Sequence, residues 1–401
     1  MKMNETPHLK IALVTAFPPG MLSLNEYGLH FARELAAHPQ VAEVVVLADM
    51  LPQPLTELDL GPKLRVERVW RFNSLATLPR LISALRKERP DGVIFNLQTA
   101  TFGDREATAA LGLLAPMVSR WVGCPSGVIA HNIIARIDLE TTILKGQRLR
   151  QFIVRAGGRI VTAAMCNASY LTTTLASYRD LLVVAHPKRD ISLVPHGTFD
   201  TAPRPWLPLH DRPTRIVTMG KFGTYKRLET LIAAFKTLRR DPRHQDLELV
   251  IGGTDHPNTA GYMASVEASN SAEPGLVFHG YVTETDIATF FEAARVSVFD
   301  YDSTTGSSGV LHQTASYGAV PVFPHIGDFV DVCRDEGLNG YNYEPGDSAG
   351  MAAAIDEALS SPQAEQMAMA NRDAAAGMPL AQVAAFHVEK LLQLSSSRQN
   401  H

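Results

Sequence analysis

Two lysines stand where a strand-like run gives way to a helix. In RIVTMGKFGTYKRLETLIAAF the β-rich residues end at Gly220, Lys221 and Lys226 follow, and a helical pattern starts near Leu228. Two ammonium groups beside a helix N-terminus favour a diphosphate, because the charges and the helix dipole both attract an anion. The same residues also fit a merely solvated loop. A second segment, VFDYDSTTGSSGVLHQTASYGAVPVF, repeats the strand, loop and helix form. At its helix head Gly306, Ser307, Ser308 and Gly309 offer backbone N–H groups and hydroxyls to an anion or a sugar. Thr305, Ser307 or Ser308 fits the helix's own N-cap equally well. His131 lies near the end of another β-rich run, SGVIAHN, where a lone histidine is either a core residue or a ligand contact. Asp300 and Asp302 have the D-x-D spacing of a cation clamp, but the pair sits in the loop before a helix and is not read as a metal site. KGQRLRQFIVRAGGR, over 145–159, carries Lys145, Arg148, Arg150, Arg155 and Arg159 with no acid, which suits either an anionic lipid surface or a solvated helix face.

The elements that must position these residues alternate. Apolar runs at 11–17, 41–49, 91–96 and 126–132 are separated by helical patterns such as LNEYGLHFARELAAHP and RLISALRKERP. A second series at 215–220, 247–253, 276–280, 296–300 and 320–323 follows the proline-dense stretch TAPRPWLPLHDRPTR, which places a domain boundary there. Alternation of this kind predicts parallel sheets covered on both faces, with ligands held beyond the carboxyl ends of the strands, in a cleft between two α/β domains. A helix is expected over 379–394, followed by a frayed SSSRQNH tail.

Composition narrows the function classes. The chain has 401 residues, 45% hydrophobic and 19% charged, so it is globular and long enough for two domains. Its 37 basic and 41 acidic residues leave a net charge of −4, which gives no reason to expect nucleic-acid binding. Cys124, Cys166 and Cys333 form neither a disulfide framework nor a metal clamp, so a reducing compartment is expected. MKMNETPHLK lacks a signal-peptide core, and no run of about 18 apolar residues occurs. A cytoplasmic protein follows, touching the inner face of a membrane at most. A dehydrogenase would need G-x-G-x-x-G after a strand, and neither FPPGMLS nor GKFGTYK supplies it.

Several landmarks in order resemble glycosyltransferase family 4, retaining enzymes of the GT-B fold. FPPGMLSLNEYG (17–28) resembles the family's glycine loop, VIAHN (128–132) its fourth-strand histidine, and LVPHGTFD (193–200) its interdomain signature. MGKFGTYKR (219–227) is similar to its G-R-x4-K, with Lys221 in the arginine position. YGAVPVF, GDFVD and GLNGYNYEPGD are similar to the run that closes its second domain. The resemblance implies two Rossmann-like domains with parallel sheets facing across a central cleft. An acceptor-side domain would span 1–200 and a nucleotide-sugar domain 201–375. A helix over 376–401 would return to the first domain. It also implies transfer of a hexose from a nucleoside diphosphate sugar to a sugar or lipid-linked acceptor hydroxyl, with retention and with neither metal nor cofactor. Lys221 and Lys226 would stabilise the departing diphosphate, His131 would bond the donor sugar, and Gly20 would bring the first loop close to the phosphates. A role in polysaccharide or glycoconjugate synthesis belongs to the same expectation, as does peripheral membrane contact through 145–159.

One departure stands out. The family's two glutamates eight apart fall here on Thr305 and Gln313, so both carboxylates are missing. Gln313 can still donate to and accept from a ribose diol, and the sugar contact would rest on Thr305, Gly306, Ser307, Ser308 and Gly309. The departure keeps two rivals in view: a non-catalytic binding or partner subunit of the same fold, and a sugar-nucleotide epimerase.

Overall fold

The computed structural model describes residues 8–53, 55–56, 58–133, 147–199, 204–303 and 306–399; Lys145 and Thr305 lie outside them. The chain divides into two compact units, Met1–Gly197 with Leu380–His401, and Thr198–Pro379. The observed division at 197/198 lies three residues before the expected 200/201. The second unit also keeps residues 376–379, ahead of the helix expected to return to the first.

In the first unit the order is β1 (Leu9–Val14), α1 (Asn25–Ala37), β2 (Val41–Asp49), β3 (Leu64–Trp70), α2 (Thr77–Glu88), β4 (Gly92–Leu97), α3 (Glu106–Leu113) and α4 (Ala115–Trp121). β5 (Ser126–Ala130), α5 (Arg148–Met165), β6 (Tyr170–Thr173), α6 (Ala176–Ala185) and β7 (Ile191–Leu193) complete it. All neighbouring strands are parallel, in the order β3-β2-β1-β4-β5-β6-β7. Helices cover both faces, so β4 and β5 are buried along their whole length and read as unbroken apolar runs. β3 was not foreseen: LRVERVW alternates apolar and charged residues because it is an edge strand whose Arg65 pairs with Glu43 and Glu67. β6 and β7 are too short to carry a pattern of their own.

The C-terminal helix, Leu380–Gln399, belongs to this first unit. Leu380, Val383, Ala384, His387, Val388 and Leu391 are buried at helical spacing and form its inner stripe. Leu391 packs on Gly92, where a Cβ would lie 2.5 Å from Cδ2, so only glycine admits the leucine. The expected frayed tail is corrected here: the helix continues to Gln399, and the Ser396 hydroxyl donates back to the Leu392 carbonyl at 3.0 Å.

The second unit repeats the plan with β8 (Arg215–Phe222), α7 (Glu229–Leu238), β9 (Glu248–Asp255), α8 (Tyr262–Ser269), β10 (Leu276–Gly280), α9 (Ile287–Glu292) and β11 (Val296–Val298). α10 (Gly309–Ser316), β12 (Val320–Pro324), α11 (Gly327–Glu336), β13 (Tyr341–Tyr343), α12 (Ser348–Ser360) and α13 (Ala364–Ala376) follow. Its six parallel strands run β10-β9-β8-β11-β12-β13. Successive residues face opposite ways: Ile216, Leu249 and Ile251 join Leu231, Phe235, Met351 and Ile355 in one core, while Val217 and Val250 join Phe290, Phe291 and Tyr317 in the other. In each unit the strand order reverses beside its first strand, so the loops after β1 and β4, and after β8 and β11, flank the crevices where open α/β sheets bind ligands.

Candidate functional site

In the second unit, the loop after β8 turns at Gly223 (φ 109) and doubles back, with the Gly223 N–H donating to the Lys226 carbonyl at 2.9 Å. Residues 225–227 then lie against 300–302: Lys226 and Tyr301 form an antiparallel bridge, Arg227 N–H donates to Asp300 O, and Asp302 N–H donates to Tyr225 O, both at 2.8 Å. This pairing carries Lys226 from the loop after β8 to the loop after β11. Its ammonium lies 4.6 Å from the centre of the Tyr301 ring and 5.8 Å from that of Tyr225. Aromatic faces hold a cation with little of the neutralisation that a carboxylate would bring. Gly220 makes room, since a Cβ there would sit 3.3 Å from the Lys226 side chain. Lys221 is the last residue but one of β8 and pairs with Thr254 of β9. The structure thus brings both lysines to one carboxyl edge.

The D-x-D carboxylates are engaged within the protein. Asp300 is buried and accepts the Leu231 N–H at 3.0 Å in the first turn of α7; burial pushes its carboxyl up to about 6, against the pull of Leu231 N–H and the Thr230 hydroxyl. Asp302 pairs with Arg227 at 2.8 Å. Both serve to fasten loops.

α10 begins at Gly309, and Ser308 is its N-cap, its Oγ accepting the Leu311 N–H at 3.4 Å. The Gly306 N–H, expected to be open to a ligand, instead donates to Asp328 Oδ2 of α11 at 2.8 Å, and Gly306 is left-handed at φ 82. Ser307 Oγ is buried without a hydrogen-bond partner among the described residues. Gln313 sits half-buried one turn into the helix. Asp328, His312 and Glu336 escaped the sequence reading. His312 contacts the Ser308 carbonyl through Nδ1 at 2.8 Å and Glu336 Oε2 through Nε2 at 2.7 Å. Burial alone would lower its pKa, but the Glu336 carboxylate and the Ser308 carbonyl outweigh that and raise it. The loop before α10 is therefore fastened from beneath by Asp328 and by the buried His312–Glu336 pair.

In the first unit, His131 follows β5 and is only 5% exposed. Its Nε2 meets Asn96 Oδ1 at 2.6 Å, and Asn96 Nδ2 donates to Thr15 Oγ1 at 2.9 Å, so the ends of β1, β4 and β5 share one polar chain. Tyr27 of α1 stands edge-on to His131 and to His196, at 4.6 and 4.8 Å between ring centres. Gly20 lies in the loop after β1, where a Cβ would come within 2.7 Å of Asp49 and 2.8 Å of the Phe17 carbonyl; its own carbonyl accepts Asn25 Nδ2 at 2.7 Å. Asn96 went unnoticed because a buried asparagine in an apolar strand gives no motif.

Burial holds the His131 and His387 imidazoles down to about 3. A depressed histidine contributes stability that is complete above its unfolded value, about 6.5, and is lost as pH falls from there towards 3. Each costs on the order of 2 kcal/mol by pH 5. His312, raised, acts in the opposite sense and favours the fold at lower pH. We expect the unfolding midpoint to drop steeply between pH 7 and 5, and less steeply in His387→Phe; equal slopes by pH-dependent thermal melting would remove His387 as a cause.

Residues 213–361, most of the second unit, match the family model described as Glycosyl transferases group 1. No curated protein matches the chain. Among solved structures it is similar to sucrose-phosphate synthase from Thermosynechococcus elongatus, with TM-score 0.72 and 16% identity over 97% of this chain and 99% of that one. It is also similar to Anabaena HepE in complex with UDP and glucose (0.66, 15%, 96% and 100%). A third is an α,α-trehalose-phosphate synthase (UDP-forming) from Burkholderia xenovorans with glucose-6-phosphate (0.66, 13%, 96% and 99%). At these identities the likeness is one of fold: two Rossmann-like α/β units of GT-B type, the second carrying a group 1 glycosyl transferase domain.

Proposed function

We propose that the protein is a retaining, metal-independent glycosyltransferase that moves a hexose from a nucleoside diphosphate sugar to an acceptor hydroxyl in polysaccharide or glycoconjugate synthesis. The observation that carries this reading is the pairing of 225–227 with 300–302, which sets Lys226 beside the loop leading to α10 at the switch point of the second sheet. Lys221 and Lys226 bind the diphosphate and stabilise the charge that grows on it as the glycosidic bond to the sugar breaks. Ser307, Ser308, Gly309 and Gln313 contact the donor sugar and ribose, with Thr305 and Gly306 completing that loop. On the first unit, Gly20 approaches the phosphates and His131, oriented by Asn96, bonds the sugar. The leaving phosphate itself accepts the proton of the incoming hydroxyl, so no protein nucleophile enters.

UDP-glucose is the first donor to test, because one HepE structure holds UDP and glucose, another holds UDP-glucose, and the trehalose-phosphate synthase is UDP-forming. Purified protein with donor and a panel of sugar and lipid-linked acceptors should form product of retained anomeric configuration, with EDTA leaving the rate unchanged. Product without acceptor would indicate an epimerase. Donor binding without turnover on any acceptor would indicate a partner subunit.

The acid-free helix α5 supports a peripheral contact with an anionic membrane. Arg148, Arg155 and Arg159 are exposed, and Phe152 on the same stripe is 68% exposed, as is Trp121 at the end of α4; no described helix is long and apolar enough to cross a membrane. Vesicles containing phosphatidylserine should sediment the protein at low salt, and Phe152→Ser with Arg155→Glu should abolish this. Sedimentation unchanged in that double variant removes α5 as the contact.

A further inference from the structure

β9 ends at Asp255, yet the next residue still pairs with β8: His256 N–H donates to the Phe222 carbonyl at 2.8 Å. One step earlier in the same ladder Lys221 lies opposite Thr254. The backbone therefore sets an imidazole and the two lysines at one carboxyl edge. The ring is partly exposed, and its Nδ1 accepts the Asn258 N–H at 3.2 Å, so the neutral ring carries its proton on Nε2. Burial and then the charges of Lys221 and Lys226 hold its pKa below the ordinary value. The remaining charged groups nearby have other partners. Asp255 gives its two oxygens to the N–H groups of Gly261 and Met263, both at 2.7 Å; Asp302 pairs with Arg227, and Glu229 accepts from the Tyr262 hydroxyl.

We propose that His256 is the third cation of the diphosphate site, neutral while the site is empty and protonated once a nucleoside diphosphate sugar neutralises Lys221 and Lys226. This rests on the donor-site reading above. The two lysines repel a proton from the empty site, and the ligand's two phosphate charges reverse that field. The proton comes from solvent and enters Nδ1, which releases the long bond from Asn258, a residue exposed enough to bond water instead. Binding thus takes up a proton, and affinity rises as pH falls.

The test is calorimetry with UDP-glucose, GDP-mannose and ADP-glucose from pH 6 to 8. Sugar conjugates are used because the terminal phosphate of a free nucleoside diphosphate titrates near pH 6 and would mask the effect. In buffers of different ionisation enthalpy, wild type should show net proton uptake, with affinity about tenfold greater at pH 6 than at pH 8. His256→Gln should bind with the weaker affinity at every pH and take up no proton. His256→Lys should bind tightly at every pH. Lysine-dependent binding with unchanged proton uptake in His256→Gln overturns the inference and leaves the donor site standing. Absence of binding to all three donors by folded wild type overturns both.

Discussion

Replacing Lys226 with alanine is expected to lower kcat by about 100- to 1000-fold, the range found when one preorganised donor to a developing negative charge is removed. The side chain stands over Tyr301 and Tyr225, and its backbone is clamped on both sides by the pairing of 225–227 with 300–302. Its orientation is therefore fixed before any ligand arrives, which makes its charge effective. In the proposed reaction the contact would strengthen as the diphosphate leaves, so kcat should fall more than donor affinity does. Lys226→Arg keeps the charge but needs more room than Gly220 provides, so partial recovery is expected. Steady-state kinetics decide: a Lys226→Ala enzyme within threefold of wild type removes this residue from the reaction.

Gly253→Ala is expected to destabilise the second unit by about 3 kcal/mol or more, as steric conflicts with backbone do. Gly253 has φ 143, and a Cβ there would lie 2.0 Å from the Gly220 carbonyl oxygen. Neither atom belongs to a side chain that can swing away. Relief requires β8 and β9 to part just where Gly220 precedes Lys221, so donor binding should fall together with stability. Gly157→Ala makes the contrast: it sits within α5, with nothing inside 4 Å of the added carbon, and should stabilise the chain by roughly 0.5–1 kcal/mol. Urea denaturation of the two variants separates the cases. Equal midpoints for Gly253→Ala and wild type would show that the ladder yields freely there.

Most of the strands that could be read from sequence are those with a buried apolar run; LVFHG, the edge strand β10, is legible although it is only half-buried. VAEVVVLAD, SGVIA and LELVIGG announce themselves because helices above and below select an apolar run through the middle of each strand, with Glu43 and Glu248 only near the start. LRVERVW, YLTT, ISL and YNY did not: the first is an amphipathic edge, and the others are too short for any period to show. The candidate site divides in the same way. Lys221 and Lys226 are visible from charge and spacing after a strand. His256, Asp328 and the His312–Glu336 pair are not, because their meaning lies in contacts between distant stretches of chain. Gly306 shows the opposite failure: the glycine was legible, but its N–H proved to be occupied by a carboxylate 22 residues further on.

The last twenty or so residues complete a core that the first two hundred begin. Until Leu391 covers Gly92, and His387 reaches the Tyr170 hydroxyl at 2.9 Å and the Phe31 ring, the face of the first sheet that receives them stays open to water. During synthesis on the ribosome the first unit emerges early yet closes last, after the whole of the second has been made. Apolar surface left waiting for that long is what chaperones recognise, and a truncation ahead of Leu380 would be felt in the first unit rather than in the second that it adjoins in sequence.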